Sequence, residues 1–247
     1  MTSNSSGTGS APSVPGVVMD GQPVHARAGN SILDVARANG ISIPTLCHLE
    51  GLSDVGACRL CMVETQGSNK LIPACVTPIT PGMQIITQSS TLAAYRKMVL
   101  ELLFSERNHI CSVCVVNGHC ELQSVAQTCG VDHVTYAYAC PSLPVDYSHP
   151  RFALDHNRCI LCSRCIRVCA EVEGANTWGL QERGSLTMLI ADLAQPWGES
   201  LTCTSCGKCV QVCPTGALFE KGKSVAEMAK RPTLISELVH KRQGSQS

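Results

Sequence analysis

Two stretches of this chain repeat one cysteine spacing: "CILCSRCIRVC" carries Cys159, Cys162, Cys165 and Cys169, and "CTSCGKCVQVCP" carries Cys203, Cys206, Cys209 and Cys213. In paired C-x2-C-x2-C-x3-C runs the fourth cysteine ligates the cluster held by the other run. On that logic Cys159, Cys162, Cys165 and Cys213 hold one [4Fe–4S] cluster, and Cys203, Cys206, Cys209 and Cys169 hold another. Cross-ligation would make the two runs a single metal-dependent unit. Ala170 follows Cys169 where Pro214 follows Cys213, which predicts a less rigid turn after the first run with the ligands unchanged.

A third set, Cys47, Cys58, Cys61 and Cys75, is spaced C-x10-C-x2-C-x13-C, with Gly56 and Ala57 before the central pair. Small residues let backbone N–H groups approach inorganic sulfide. This pattern suits a [2Fe–2S] centre better than zinc, whose structural sites usually pair two short C-x2-C knuckles. A fourth set, "RNHICSVCVVNGHC", offers only Cys111, Cys114 and Cys120, so a cubane there needs one more ligand. Cys129, Cys140, His109 and His119 are the candidates, and His119 would diverge from the adjacent Cys120. A neutral imidazole can replace thiolate on iron and raises the potential when it does. Cys129 and Cys140 otherwise read as small buried structural residues.

Seventeen cysteines in such clusters favour metal over disulfides. The amino-terminal "MTSNSSGTGSAPSVPG" lacks the pattern of a secretory signal, so a cytoplasmic location is expected. The most apolar segment, "LAAYRKMVLELLF", is interrupted by Arg96, Lys97 and Glu101, and no membrane span is expected. Nineteen basic against nineteen acidic residues argue against nucleic acid.

The elements that must position these cysteines are short. Residues 1–13 read as a disordered leader. Over 14–90, "VVMDGQPVHA" predicts a hairpin about Asp20-Gly21, and "NSILDVARANG" a helix capped by Asn30 or Ser31 and stopped at Gly40. Strands in "CMVET", "LIPAC" and "MQIIT" complete a β-grasp [2Fe–2S] domain. Residues 91–150 begin with a linking helix whose apolar face carries Leu92, Val99, Leu102 and Leu103, followed by a small His/Cys cluster domain. Residues 151–220 form a two-[4Fe–4S] bacterial-ferredoxin-like domain, and 221–247 a helical tail, either solvated or docked on a partner. The fold class is α+β.

No strand leads into G-x-G-x-x-G, so no dinucleotide site is visible, and "GANTWG" reads as a loop. The chain also lacks a nickel-type pair of C-x2-C motifs. Without a substrate pocket, its expected work is one-electron transfer between partners. Arg158, Arg164, Arg167 and Lys208 lie within the runs, either tuning potentials or facing solvent.

Over roughly residues 14–220 the motif order, running through a His-linked three-cysteine motif into "CELQ", resembles the amino-terminal part of the large iron–sulfur subunit of respiratory NADH dehydrogenase. It is also similar to the amino-terminal region of iron-only hydrogenases. The stop 34 residues after Cys213 resembles the diaphorase iron–sulfur subunits of bidirectional NAD-reducing nickel–iron hydrogenases. That resemblance implies His109, Cys111, Cys114 and Cys120 as ligands of a third [4Fe–4S] cluster, although only Ile110 separates His109 from Cys111 where the family has three residues. Cys129 remains the other choice. The resemblance further implies an electron-relay subunit without a complete active site. Its partners would be an NAD(H)- and FMN-binding diaphorase subunit, hydrogenase small and large subunits carrying the nickel–iron centre, and ferredoxin or flavodoxin as further candidates. A similar subunit of an NAD-linked formate dehydrogenase, a bifurcating hydrogenase or a complex I-like enzyme, and a free multi-cluster carrier, are the alternatives.

Overall fold

The computed structural model describes residues 12–244, so most of the expected leader lies outside the described residues. The chain divides into two compact units, one of residues 12–43 and 61–92 and one of 44–60 and 93–244. Residues 44–60, inside the first cysteine-bearing stretch, thus belong to the second unit.

In the first unit β1 (Val18–Met19) and β2 (Gln22–Pro23) form the hairpin. Asp20 and Gly21 both take positive φ, 49° and 79°, the backbone that a tight two-residue turn requires. α1 (Ile32–Ala38) follows, with Ser31 and Asp34 closing a reciprocal capping box, which satisfies two otherwise orphaned amides. Its buried Ile32, Leu33, Val35 and Ala36 pack into the core of a sheet completed by β3 (Met62–Thr65), β4 (Ile72–Pro73) and β5 (Gln84–Ile86). The strand order is β2-β1-β5-β3-β4, with β1 and β5 parallel and the remaining pairs antiparallel. This is the expected β-grasp arrangement.

α2 (Ser90–Glu106) starts in the first unit and continues into the second. Its expected apolar face needs correction. Leu102 is exposed, while Arg96 and Glu101 are buried. Arg96 Nε donates to the Leu60 carbonyl at 3.3 Å, and Glu101 accepts from the Thr135 amide at 2.9 Å. Burial of these charges is tolerable because each has a specific partner.

The second unit continues with α3 (Glu121–Thr128) and a sheet of β6 (Val145–Asp146), β7 (Phe152–Asp155) and a later strand β10 (Leu218–Glu220), ordered β10-β7-β6. Between them lie α4 (Arg164–Arg167), the hairpin β8 (Trp178–Gln181) and β9 (Met188–Ala191), and α5 (Lys208–Val212). α6 (Thr233–Gly244) closes the chain. The expected helical tail also packs on its own chain: Met228 is 3% exposed and Ile235 fully buried, and Arg242 donates to the Val172 carbonyl. Among the described residues no helix is long and apolar enough to cross a membrane.

Candidate metal centres

The two cysteine runs adopt one local conformation. Leu161 and Ser163 in the first, and Ser205 and Gly207 in the second, occupy the left-handed region, with φ of 52°, 57°, 54° and 74°. These turns launch α4 and α5 from equivalent positions. Gly207 is required for space as well, since a Cβ there would sit 3.0 Å from the Phe152 ring. After each helix the runs diverge. Pro214 disfavours helical backbone at Cys213, which is extended at φ −67°, ψ 120°. Ala170 allows the first helix to continue as a wide π-type turn over Val168–Glu173.

The runs surround two cavities. One is lined by Cys159, Cys162, Cys165 and Cys213. The other is lined by Cys169, Cys203, Cys206 and Cys209. Each cavity therefore takes three cysteines from one run and the last cysteine of the other. Burial pushes the thiols of Cys159, Cys162 and Cys209 up to about 12, 11 and 12. Thiolates here would need a cation to hold them, and iron supplies one. Among the described residues no three His, Cys, Asp or Glu side chains are arranged around one metal ion. Four cysteines lining each cavity suit a cluster.

The second cavity has a particular wall. Trp178 and Trp197, the chain's two tryptophans, meet edge to face at 4.8 Å, and His149 and Phe152 stack against Trp197. Trp197 Nε1 donates to the Cys203 sulfur at 3.2 Å, and the Trp178 indole donates to Cys209. Sequence spacing gave no sign of these N–H···S bonds, because their residues lie in separate loops and strands.

The third cysteine group follows a buried histidine, and Arg158 acts on both His109 and Cys111. α2 ends at Glu106, and the following turn brings His109 beside Phe104, ring centroids 5.4 Å apart. The Leu103 carbonyl accepts from the imidazole, while Nε2 is buried and has no hydrogen-bond partner among the described residues. The bond therefore belongs to Nδ1–H, which leaves the Nε2 lone pair available, the usual orientation of a metal-ligating histidine. Burial, Arg158 and Arg107 hold its pKa at about 4, so the ring is neutral at physiological pH. Cys111 feels both Cys114 and Arg158, and Cys120 feels Cys114. Gly216 leaves room beside Cys114, where a Cβ would lie 2.4 Å from the sulfur. This donor set, with an orphaned neutral nitrogen, the buried thiols of Cys114 and Cys120 and the half-buried Cys111, has the chemistry of an iron-cluster site. Cys129 interacts with Arg96 instead. The expectation that Cys129 and Cys140 are buried is corrected: Cys129 is half-buried and Cys140 exposed.

In the first unit, buried Cys61 and Cys75 place their sulfurs 3.4 Å apart. In the second, Cys58 accepts from the Leu46 amide at 3.4 Å, and neighbouring Cys47 and burial push its thiol upward. The loop of Cys47 is held by two arginines from α4, both buried rather than facing solvent. Arg167 donates to the carbonyls of Cys47, Ser53 and Cys162. Arg164 donates to the His48 carbonyl at 2.8 Å and pairs with both Glu121 oxygens at 2.7 and 2.9 Å. Arg158 and Lys208 also have carboxylate partners, Asp155 and Glu173.

Comparison with known proteins matches this layout. Residues 16–90 match a 2Fe-2S iron-sulfur cluster binding domain. Residues 96–135 match the NADH-ubiquinone oxidoreductase-G iron-sulfur binding region, and 149–219 the ferredoxin-like domain of NADH-quinone oxidoreductase subunit 3. Together they define an iron–sulfur electron-transfer protein. The chain is 37% identical over 83% of its length to the NADPH-Fe(3+) oxidoreductase subunit alpha of Geobacter sulfurreducens, but spans 24% of that protein. It is 30% identical to the NAD-reducing hydrogenase HoxS subunit gamma of Cupriavidus necator, over 83% of this chain and 86% of that one. A chain of the solved NAD+-reducing [NiFe]-hydrogenase in its H2-reduced state is similar with a TM-score of 0.80 and 33% identity, covering 85% of this chain and 88% of that chain. The protein belongs to the family of iron–sulfur subunits that includes HoxS gamma.

Proposed function

We propose that this chain relays single electrons between a nickel–iron hydrogenase module and an NAD(H)- and FMN-binding diaphorase subunit in a cytoplasmic complex. The observation that carries the reading is the correspondence with HoxS gamma and with the hydrogenase chain, which runs along 86% and 88% of their lengths. One [2Fe–2S] and three [4Fe–4S] clusters are the cofactors of this reading, and when bound they would supply the one-electron chemistry. Cys47, Cys58, Cys61 and Cys75 would hold the first. His109, Cys111, Cys114 and Cys120 would hold the second, and the two cross-linked cysteine sets the others. NAD(H), FMN and the nickel–iron centre belong to the partner subunits, and ferredoxin or flavodoxin are further exchange partners in this scheme.

The chain's own residues would bind, orient and insulate the clusters. The Leu103 carbonyl fixes the His109 ring, the two indoles direct N–H groups at Cys203 and Cys209, and Arg164 and Arg167 brace the Cys47 loop. Gentle purification with partners, followed by a test of hydrogen-dependent NAD+ reduction, decides the reading. Activity with co-purifying flavin and nickel–iron subunits is the expected result. NADH-driven dye reduction without hydrogen activity would instead assign the relay to a formate dehydrogenase-type or respiratory-type assembly, and a partner-free monomer would point to a free carrier.

A further inference from the structure

The carboxyl-terminal segment was expected to be a tail, yet it delivers a cation to the seam between two of the metal sites. Lys230 Nζ donates to the carbonyls of Cys213 and Leu218, each at 2.9 Å, and to that of Thr215. An ammonium group has three N–H donors, and all are used on one short loop. The same loop touches the histidine site. The Pro214 carbonyl accepts from the Glu121 amide at 2.9 Å and lies 3.5 Å from the Cys120 sulfur, while Gly216 packs against Cys114.

Lys230 is itself held from the histidine side. The Ala226 amide donates to the Cys114 carbonyl at 3.1 Å, and the Met228 amide to the Val115 carbonyl at 2.9 Å. Its three recorded partners are neutral carbonyls, and no carboxylate pairs with it among the described residues. Half-buried and without a carboxylate partner, the ammonium would face whatever negative charge the metal sites carry.

We infer that Lys230 is a positioning residue shared by two clusters, pinning the Cys213–Leu218 loop between them and favouring the reduced form of each. This rests on the ligand sets proposed above. Exchange between the proposed clusters would move one electron from one to the other, with no proton. A fixed positive charge at the seam stabilises the added electron in either place, so it raises both potentials without blocking passage.

The test is a redox titration followed by electron paramagnetic resonance on the cluster-loaded full chain, comparing wild type, Lys230→Gln and Lys230→Arg. Glutamine should lower the midpoint potentials of the His109 cluster and the Cys213 cluster, with the larger shift in the latter, and leave the other two unmoved. Arginine should preserve all four. Lys230→Met serves as a second neutral variant should glutamine not fold. Unchanged potentials in a neutral variant, or equal disruption by glutamine and arginine, would overturn the inference. Absence of either cluster from the wild type would be a different result: it would refute the ligand assignment, and the inference with it.

Discussion

Gly216 stands against Cys114 so closely that an added Cβ would lie 2.4 Å from the sulfur and 3.1 Å from Cδ of Arg158. Contacts under 3 Å force something to move, and in a packed interior the movement is costly. Gly216→Ala is expected to displace the Cys114 thiol and remove one [4Fe–4S] cluster's worth of iron, leaving the other sites filled. Iron analysis with paramagnetic resonance checks this, and a full complement of clusters would disprove it.

His109→Cys should retain a cluster, because a fourth thiolate replaces the imidazole, but at a lower midpoint potential. An untouched spectrum and potential would exclude His109 as a ligand. Acidity offers a second check. In the folded metal-free chain the ring titrates near 4, whereas an unfolded histidine takes its proton near 6.5. The unfolded state therefore binds more protons between these values. This contribution makes stability fall as pH drops through that window and is flat above it. The loaded histidine site should keep its spectrum from pH 7 to 5, because the competing protonation lies lower. Selective loss between pH 6 and 5 would contradict the lowered value.

Cys169→Ser should abolish the cluster of Cys203, Cys206 and Cys209 and spare that of Cys159, Cys162 and Cys165. Cys213→Ser should do the reverse. Iron content together with resolved paramagnetic signals distinguishes the two, and loss from a cysteine's own run would refute cross-ligation.

Replacing Trp197 or Trp178 by Phe removes an N–H···S bond while keeping most of the aromatic packing. Such bonds stabilise the more negative, reduced cluster. Each substitution is expected to lower the potential of the Cys203/Cys206/Cys209/Cys169 cluster alone. A shift shared by all clusters would indicate a general structural change.

Arg167→Met leaves the carbonyls of Cys47, Ser53 and Cys162 without this donor. Removing one member of a buried hydrogen-bonded set costs about 3 kcal/mol. Thermal unfolding of the loaded chain should show a clear drop in Tm, and a loss below about 1 kcal/mol would show that water or a rearranged loop replaces the guanidinium.

How much could be read from residues alone follows from the range of each interaction. The paired runs announce themselves because their spacing is local, as does the Asp20-Gly21 hairpin, whose two positive φ values are a property of two residues. The place of Arg164 and Arg167 was not legible. Each bonds a carbonyl more than a hundred positions away, and a guanidinium inside a cysteine run looks the same in sequence whether it meets solvent or a buried backbone. Lys230 was hidden for a related reason: nothing in "AEMAKRP" tells which carbonyls its ammonium meets. The wide turn after Cys169 was half legible, since Ala170 in place of proline signalled a difference but not its form.

The concentration of both tryptophans on one cavity has an optical consequence. Excitation of indole fluorescence samples a single corner of the chain, within contact of Cys203 and Cys209. Emission should be quenched most strongly when the proposed cluster fills that corner and recover when it empties, so the indoles would report the loading of this cavity without any added label.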